Sequence, residues 1–471
     1  MVVVGGGITG LATAWYLRSV PEATRPEVVV VEASERVGGK IRTETLGGVP
    51  VEAGPDTFLA REPWGTDLAC KVGLADDLVA PATGAAFVCH DGRLQPLPRG
   101  TVLGVPVTAR TLLGTSLLSP AGRARAALDL VLPRRRLGAD PSVADVIAAR
   151  LGPEVLERMV EPLVGGINAG RAENLSLRSV AASLAAAAEQ HRSMILGLRA
   201  DRRAATGTAP PGPLFLAVAG GMERLVERLA SSLEGVELRT ATAVTDVTKV
   251  RPDGGSRWQV ACDRGPDVEA DAVVLTIPAF AAAPVVAAVS PEAAAELAGI
   301  RYASVVTATL AYRREALPRP LVGSGFLVPR GEKRLLTACT FSTSKWPDLA
   351  RSGMVLLRAS AGRDGDDEAL GLDDDALITR LHQDLSVLVG VTEAPVSSRV
   401  DRWENGFPQY EPGHDARIDR IEAALGAHGA LVVAGAAFRG VGIAACVQQA
   451  SAAAARVGGL LADDSGAARE T

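Results

Sequence analysis

The chain begins MVVVGGGITGLATAWYL, and this opening limits the possible folds more than any other feature. The valines Val2–Val4 pass directly into Gly5, Gly6, Gly7 and Gly10 and then into a helix-like run. Gly5, Gly7 and Gly10 make G-x-G-x-x-G between a strand and a helix, with Ile8 and Thr9 filling the loop. That spacing supplies a tight turn, backbone amides that approach a pyrophosphate, and a helix whose positive end faces the anion. Alone, such glycines are often only a turn. A second valine run, VVVVEA at 28–33, ends in Glu32, which lies 22 residues past Gly10. A carboxylate at that offset accepts a ribose 2′-OH. The pattern predicts a dinucleotide fold, and Glu32 disfavours a 2′-phosphate, which leaves FAD or NAD rather than NADP.

Composition excludes other classes. With 471 residues and 47% hydrophobic content, the chain can bury large cores in two or three domains. A net charge of −5 without a basic tail argues against nucleic acid as a partner. The cysteines Cys70, Cys89, Cys262, Cys339 and Cys446 are scattered without paired spacing, which suits a reducing compartment rather than disulfides or zinc. No targeting segment precedes the first strand, so a cytoplasmic location is expected. The best uncharged run, 272–291, is broken by Pro278, Pro284 and Pro291, so no membrane span is expected. The apolar stretch 101–118 reads as a cavity wall.

Strand-like runs and helical connections alternate to about residue 85, and a mostly helical stretch follows to about 207. The segment 200–213, rich in Arg, Gly and Pro, marks a boundary. Strands of alternating and buried kinds return to about 280, and a β-rich piece follows to 400. Near the end, Leu431–Ala434 runs into Gly435, Gly440 and Gly442 and then a long helix. Two distant glycine turns feeding helices suggest one long cofactor gripped at both ends, which favours FAD over NAD.

Five further blocks carry a resemblance. EASERVGGKIRT at 32–43 is similar to the segment after the second strand in the flavin amine oxidase superfamily. EAGPDTFL at 52–59, EPLVGGINAGRAENLSLRS at 161–179, RWENGFPQYEPGH at 402–414 and AGAAFRGVGIAAC at 434–446 resemble, in order, motifs of the oxygen-dependent porphyrinogen oxidases. The resemblance spans essentially the whole chain. It implies an α/β fold with α+β elements: a Rossmann-like FAD domain of the p-hydroxybenzoate-hydroxylase type, a mixed β-sheet substrate domain and a helical domain. The FAD domain would be discontinuous, from 1–85, 208–280 and 401–471. Residues 86–207 would be the helical domain over the cavity, and 281–400 the substrate domain.

The family implies noncovalent FAD, since no cysteine or histidine sits in an attachment context, with O2 as electron acceptor. The implied FAD contacts are Gly5, Gly6, Gly7, Ile8, Thr9, Gly10, Glu32, Ala33, Lys40, Gly54, Pro55, Asp56, Thr57, Val244, Trp403, Val441, Gly442 and Ile443. Lys40 would neutralise pyrophosphate charge, Val244 would pair with the adenine edge, and Trp403 would pack near the isoalloxazine. Asn168 and Gly170 are expected in the cavity wall, the glycine because bulk would block the ring. No nucleophile or metal motif appears, and the flavin itself would drive the reaction; His191 and His414 are expected to be structural. Some relatives carry an arginine for a substrate propionate where this chain has Ala86, which leaves Arg61, Arg171 and Arg178 as candidates.

The implied substrate is a tetrapyrrole with saturated bridges, oxidised by six electrons with release of H2O2 in heme synthesis. The product would be handed to the next heme-pathway enzyme. The arginine-rich composition without a span favours coproporphyrinogen III over protoporphyrinogen IX. An amine oxidase, a carotenoid-type desaturase and a non-catalytic flavin or porphyrin binder are the remote alternatives.

Overall fold

The structure is a computed structural model that describes residues 1–22, 25–134, 136–205, 212–250 and 258–467. The junction read at 200–213 lies partly outside the described residues. Short valine-rich runs from four distant places meet in one parallel sheet of five strands, in the spatial order Val236–Arg239, Val28–Val31, Val2–Val4, Val273–Leu275 and Leu431–Val433. Parallel strands with both faces covered read as continuous apolar runs, as these do. Alternation still sorts their side chains. Val3, Val30, Val274 and Val432 pack against the helices Ile8–Arg18 and Ile443–Ala467, while Val2, Val4, Val273 and Val433 face the opposite core.

A second sheet of seven strands is mixed, in the order Ser397–Pro408, Tyr302–Arg313, Met354–Ala361, Leu336–Phe341, Gly325–Leu327, Ala86–His90 and Arg93–Pro96. The helix Asp374–Val389 backs it through Leu377, Leu381 and Leu385, which share one helix face. That helix is held at both ends: Asp373 caps its first turn at Ala376, and Gly390 closes it in the left-handed conformation.

One part of the sequence reading changes here. The stretch 86–96, read as the start of a helical region, is a hairpin extending the seven-stranded sheet. Its turn is Asp91-Gly92, both with positive φ, 51° and 68°, the Asp-Gly signal of a two-residue hairpin. The strand Ser397–Pro408 likewise runs across the division placed at residue 400. From Ala109 onward helices do dominate, with a core of their own that takes in Val105, Val107, Leu112, Leu117 and Leu118 of the apolar stretch at 101–118. No helix among the described residues is long and apolar enough to cross a membrane.

Within the helical region Asp129 is fully buried and accepts from Arg150 Nε at 2.8 Å, Ser193 Oγ at 2.7 Å and Ile195 N at 3.0 Å. Removing one partner of a buried ion pair strands the other charge, at a cost of about 3–5 kcal/mol. Asp129→Ala is therefore expected to lower the denaturant midpoint of this region by an amount equivalent to several kcal/mol; a loss below about 1 kcal/mol would contradict the role given to the pair.

Candidate functional site

The turn after Val4 is built by steric necessity. Gly5 has φ 106°, and a Cβ there would lie 2.8 Å from Thr276 Oγ1. A Cβ on Gly10 would come within 1.8 Å of the Gly5 carbonyl oxygen. Gly7 differs, since its Cβ would meet nothing within 4 Å. It is the N-cap of Ile8–Arg18 and provides no side-chain cap. The first-turn amides, which a helix leaves without internal partners, stand at the positive end of its dipole, and the space beside Gly7 is open. Gly442, just before Ile443–Ala467, also opens onto space with nothing within 4 Å. An anionic group suits such ends.

Glu32 closes the sheet end of this loop. Its Oε2 accepts from Gly6 N at 2.6 Å, and its Oε1 accepts from Ser34 N at 2.9 Å and Ser34 Oγ at 2.6 Å. Thr242 N donates to the Glu32 carbonyl at 3.0 Å, which brings the strand beginning at Val244 next to Glu32. Ala33 is exposed beside it. Lys40, also exposed, donates its ammonium to the carbonyl of Gly406.

Trp403 Nε1 donates to the Ala53 carbonyl at 2.9 Å, which seats the indole beside Gly54. Arg358 Nη2 donates to the Gly54 carbonyl at 2.6 Å. A Cβ on Gly54 would stand 1.7 Å from the Lys40 carbonyl oxygen, so glycine is obligatory there. Pro55 and Thr57 are half-buried in the same turn, whereas the Asp56 carboxylate turns inward to Lys345 Nζ at 2.6 Å. Burial alone would push that carboxyl up, but the Lys345 ammonium and Arg358 guanidinium hold it below its ordinary value.

The end of the helix Glu161–Asn168 and the turn to Gly170 are fixed by Gln409, just past the strand Ser397–Pro408. Asn168, buried, spends its amide N–H on the Val164 carbonyl at 2.8 Å, and its own carbonyl accepts from Gln409 Nε2 at 2.9 Å. A Cβ on Gly170 would meet Gln409 Oε1 and Leu175 Cδ1, both at 2.7 Å, so packing within the protein already requires glycine there. Tyr410 OH accepts from Gly440 N and donates to Ala436 O, each at 2.8 Å, and the ring stacks on His414 at 3.9 Å. His414 is buried, with Nε2 2.9 Å from the Phe438 carbonyl.

The comparisons with known proteins fit this frame. Residues 8–458 match the model of the flavin containing amine oxidoreductases. The chain belongs to that family. Coproporphyrinogen III oxidase of Bacillus subtilis (strain 168) is 36% identical over 459 residues, 96% of this chain and 96% of its own length. The Mycobacterium bovis protein of the same name is 36% identical over 464 residues, covering 97% and 96%. The crystal structure of a protein named as a protoporphyrinogen oxidase from Exiguobacterium sp. 255-15 superposes with a TM-score of 0.84 at 33% identity, over 97% of this chain and 98% of that one.

As a flavin amine oxidoreductase, the chain has supporting residues that the sequence reading passed over. Gln409 and Tyr410 are fixed letters of the block at 402–414 to which the sequence alone gives no role, yet one holds the Asn168 carbonyl and the other holds the glycine turn at 440. The signal available was their position beside Trp403 in a family block. Glu52 is a second case. It accepts from Met222 N at 2.8 Å and from Thr43 Oγ1, and burial pushes its carboxyl up from 4.5 to about 7. A carboxyl raised in the fold stabilises while protonated, so its contribution is full below pH 4.5 and disappears as pH rises through about 7. Glu52→Gln should therefore gain in Tm relative to wild type on going from pH 5 to pH 8; parallel Tm profiles across that window would refute the assignment.

Proposed function

We propose that this flavoprotein is an FAD-dependent oxidase that converts coproporphyrinogen III to coproporphyrin III, with O2 as electron acceptor. The observation that carries the reading is the near full-length likeness to relatives named coproporphyrinogen III oxidase, at 36% identity. The two glycine-bounded helix ends support the dinucleotide: Gly7 and Gly442 leave room where a Cβ would otherwise stand. When bound, FAD supplies the hydride acceptor and the relay of electrons to O2.

The chain's own part is to hold, orient and enclose. The first-turn amides at Ile8 to Gly10 would take the pyrophosphate, with the Gly5–Gly7 turn shaping the approach, and Glu32 would take the ribose hydroxyls, with Ala33 and Val244 at the nucleoside end. Lys40 lends positive charge to the middle. The turn Gly54–Thr57, the Trp403 indole and the segment Val441–Ile443 form the seat of the flavin ring, and the loop carrying Asn168 and Gly170 covers the substrate side. Three two-electron rounds remove six hydrogens from the macrocycle, in total four from the bridge carbons and two from the pyrrole nitrogens, and each round would reduce one O2 to H2O2. The macrocycle gains aromaticity, so positioning and exclusion of water are the main demands on the protein. A protoporphyrinogen substrate is the second reading, favoured by the name of the Exiguobacterium structure.

Separate supply of the two porphyrinogens, with porphyrin fluorescence and H2O2 followed on admitting air, decides between them. A site with donors for extra carboxylates leaves them unpaired when vinyl groups take their place. The expected kcat/KM favours coproporphyrinogen III by at least about tenfold, or about 1.4 kcal/mol. Equal or reversed preference would favour protoporphyrinogen, and absence of peroxide from both would remove the oxidase reading.

A further inference from the structure

A tetrapyrrole bearing four propionates needs cations to receive them, and the arginines singled out from sequence serve this poorly. Arg178 pairs with Glu189 at 2.7 Å and donates to the Ala139 carbonyl, while Arg61 is exposed just before the helix Pro63–Lys71. Arg171 belongs to a different group, in which three guanidiniums from separate parts of the chain converge. Arg330 follows the strand Gly325–Leu327, and Arg363 follows Met354–Ala361.

Their hydrogen bonds go to neutral carbonyls. Arg171 Nε and Arg330 Nη2 both reach the Asp364 carbonyl, at 3.1 and 3.0 Å, and Arg330 Nη2 lies 3.4 Å from the Gly170 carbonyl. Arg363 Nη1 reaches the Val328 carbonyl at 3.3 Å. The neighbouring carboxylates stand too far off for tight pairing: Glu161 is 3.8 Å from Arg330, Asp366 is 3.7 Å from Arg363 and Asp364 is 3.9 Å from Arg171. Asp364 is instead committed to Arg301 at 2.5 Å. Arg363 Nε is buried with no hydrogen-bond partner.

The electrostatics agree with this geometry. Burial, then the charges of Arg363 and Arg171, pull the Arg330 guanidinium below its ordinary value, and burial does the same to Arg363. Burial and then Glu173 push the Glu161 carboxyl up, which weakens the one acid closest to Arg330. Concentrated, partly desolvated positive charge without a tight internal carboxylate is costly to the fold, and an external carboxylate relieves it.

The position is also right. A Cβ on Gly362, next to Arg363, would meet the Ser304 carbonyl oxygen at 2.9 Å and Val305 Cα at 3.4 Å. Val305 pairs in register with Trp403, the residue bonded to Ala53 beside the flavin-end turn. On the other side Arg330 touches Gly170 in the covering loop.

We propose that Arg330 and Arg363, with Arg171 behind them, form the subsite that receives a propionate carboxylate of the tetrapyrrole, an inference that rests on the porphyrinogen oxidase reading. The guanidinium fork matches a carboxylate bidentately, which fixes the ring's orientation as well as its affinity.

The test uses the FAD-loaded enzyme with two probes, coproporphyrin III and its tetramethyl ester, which differ only in the carboxylates. Wild type should bind the acid at least about tenfold more tightly than the ester, a preference that shrinks with added salt. Arg330→Gln and Arg363→Gln should each weaken the acid about tenfold or more and leave the ester within about threefold, whereas Arg363→Lys, which keeps the charge but loses the fork, should fall between wild type and Arg363→Gln. In turnover the same variants should raise KM for coproporphyrinogen III with kcat little changed. Equal binding of acid and ester by wild type, or a parallel loss of both in the variants, would overturn the subsite while leaving the oxidase reading in place. The first of those needs no variant to fold. Peroxide production from neither porphyrinogen by wild type would instead remove the functional reading and the subsite with it.

Discussion

The fold depends on the pairing of three valine residues at the start of the chain. Val2, Val3 and Val4 take Val29, Val30 and Val31 on one side and Val273, Val274 and Leu275 on the other, with exposures of 0–2%. Through this central strand residues near the first, thirtieth and two-hundred-and-seventieth positions share one backbone ladder. Leu431–Val433 then joins beyond Val273–Leu275 and delivers the glycine turn at 440 to the same end of the sheet. Ligands of open parallel sheets bind at the carboxyl ends of strands, where helix amides emerge. Two of the helices that start at such an end here, Ile8–Arg18 and Ile443–Ala467, begin next to a glycine facing open space.

A second constraint ties the turn after the short strand Val49–Glu52 to the seven-stranded sheet. The Ala53 carbonyl collects the Trp403 indole N–H at 2.9 Å, Arg358 Nη2 at 3.3 Å and the Thr307 hydroxyl at 3.4 Å. Each donor stands on a strand of the seven-stranded sheet, so the turn Ala53–Gly54 is fastened to that sheet. Buried polar groups that share one acceptor resist local rearrangement, because each would lose its partner on moving. Gln409 and Tyr410 likewise tie down the end of the helix Glu161–Asn168 and the C-terminal glycine turn.

The sequence made the cofactor fold legible because glycines answer to sterics. At Gly5, Gly10 and Gly54 a Cβ collides with protein atoms, and that collision leaves a readable pattern. Strand pairing at long range is less visible. The hairpin at 86–96 was hidden by short strands of ordinary composition, although its Asp91-Gly92 turn carried a local signal. The carboxylate subsite was not legible at all. Arg330 and Arg363 look like any surface arginine until three separate turns bring them to Asp364 and Gly170. Single residues also changed meaning: Asn168 and Gly170, expected to line a cavity, owe their identities to helix hydrogen bonding and packing inside the protein.

The central claim is that the first and last glycine turns grip one molecule. Hydrogen exchange on the apo-protein with and without FAD tests it directly. The account predicts that added FAD slows exchange together at the amides of residues 5–10 and of residues 440–443, with the same dependence on FAD concentration. Protection of the first turn alone, with the second unchanged at saturation, would contradict it.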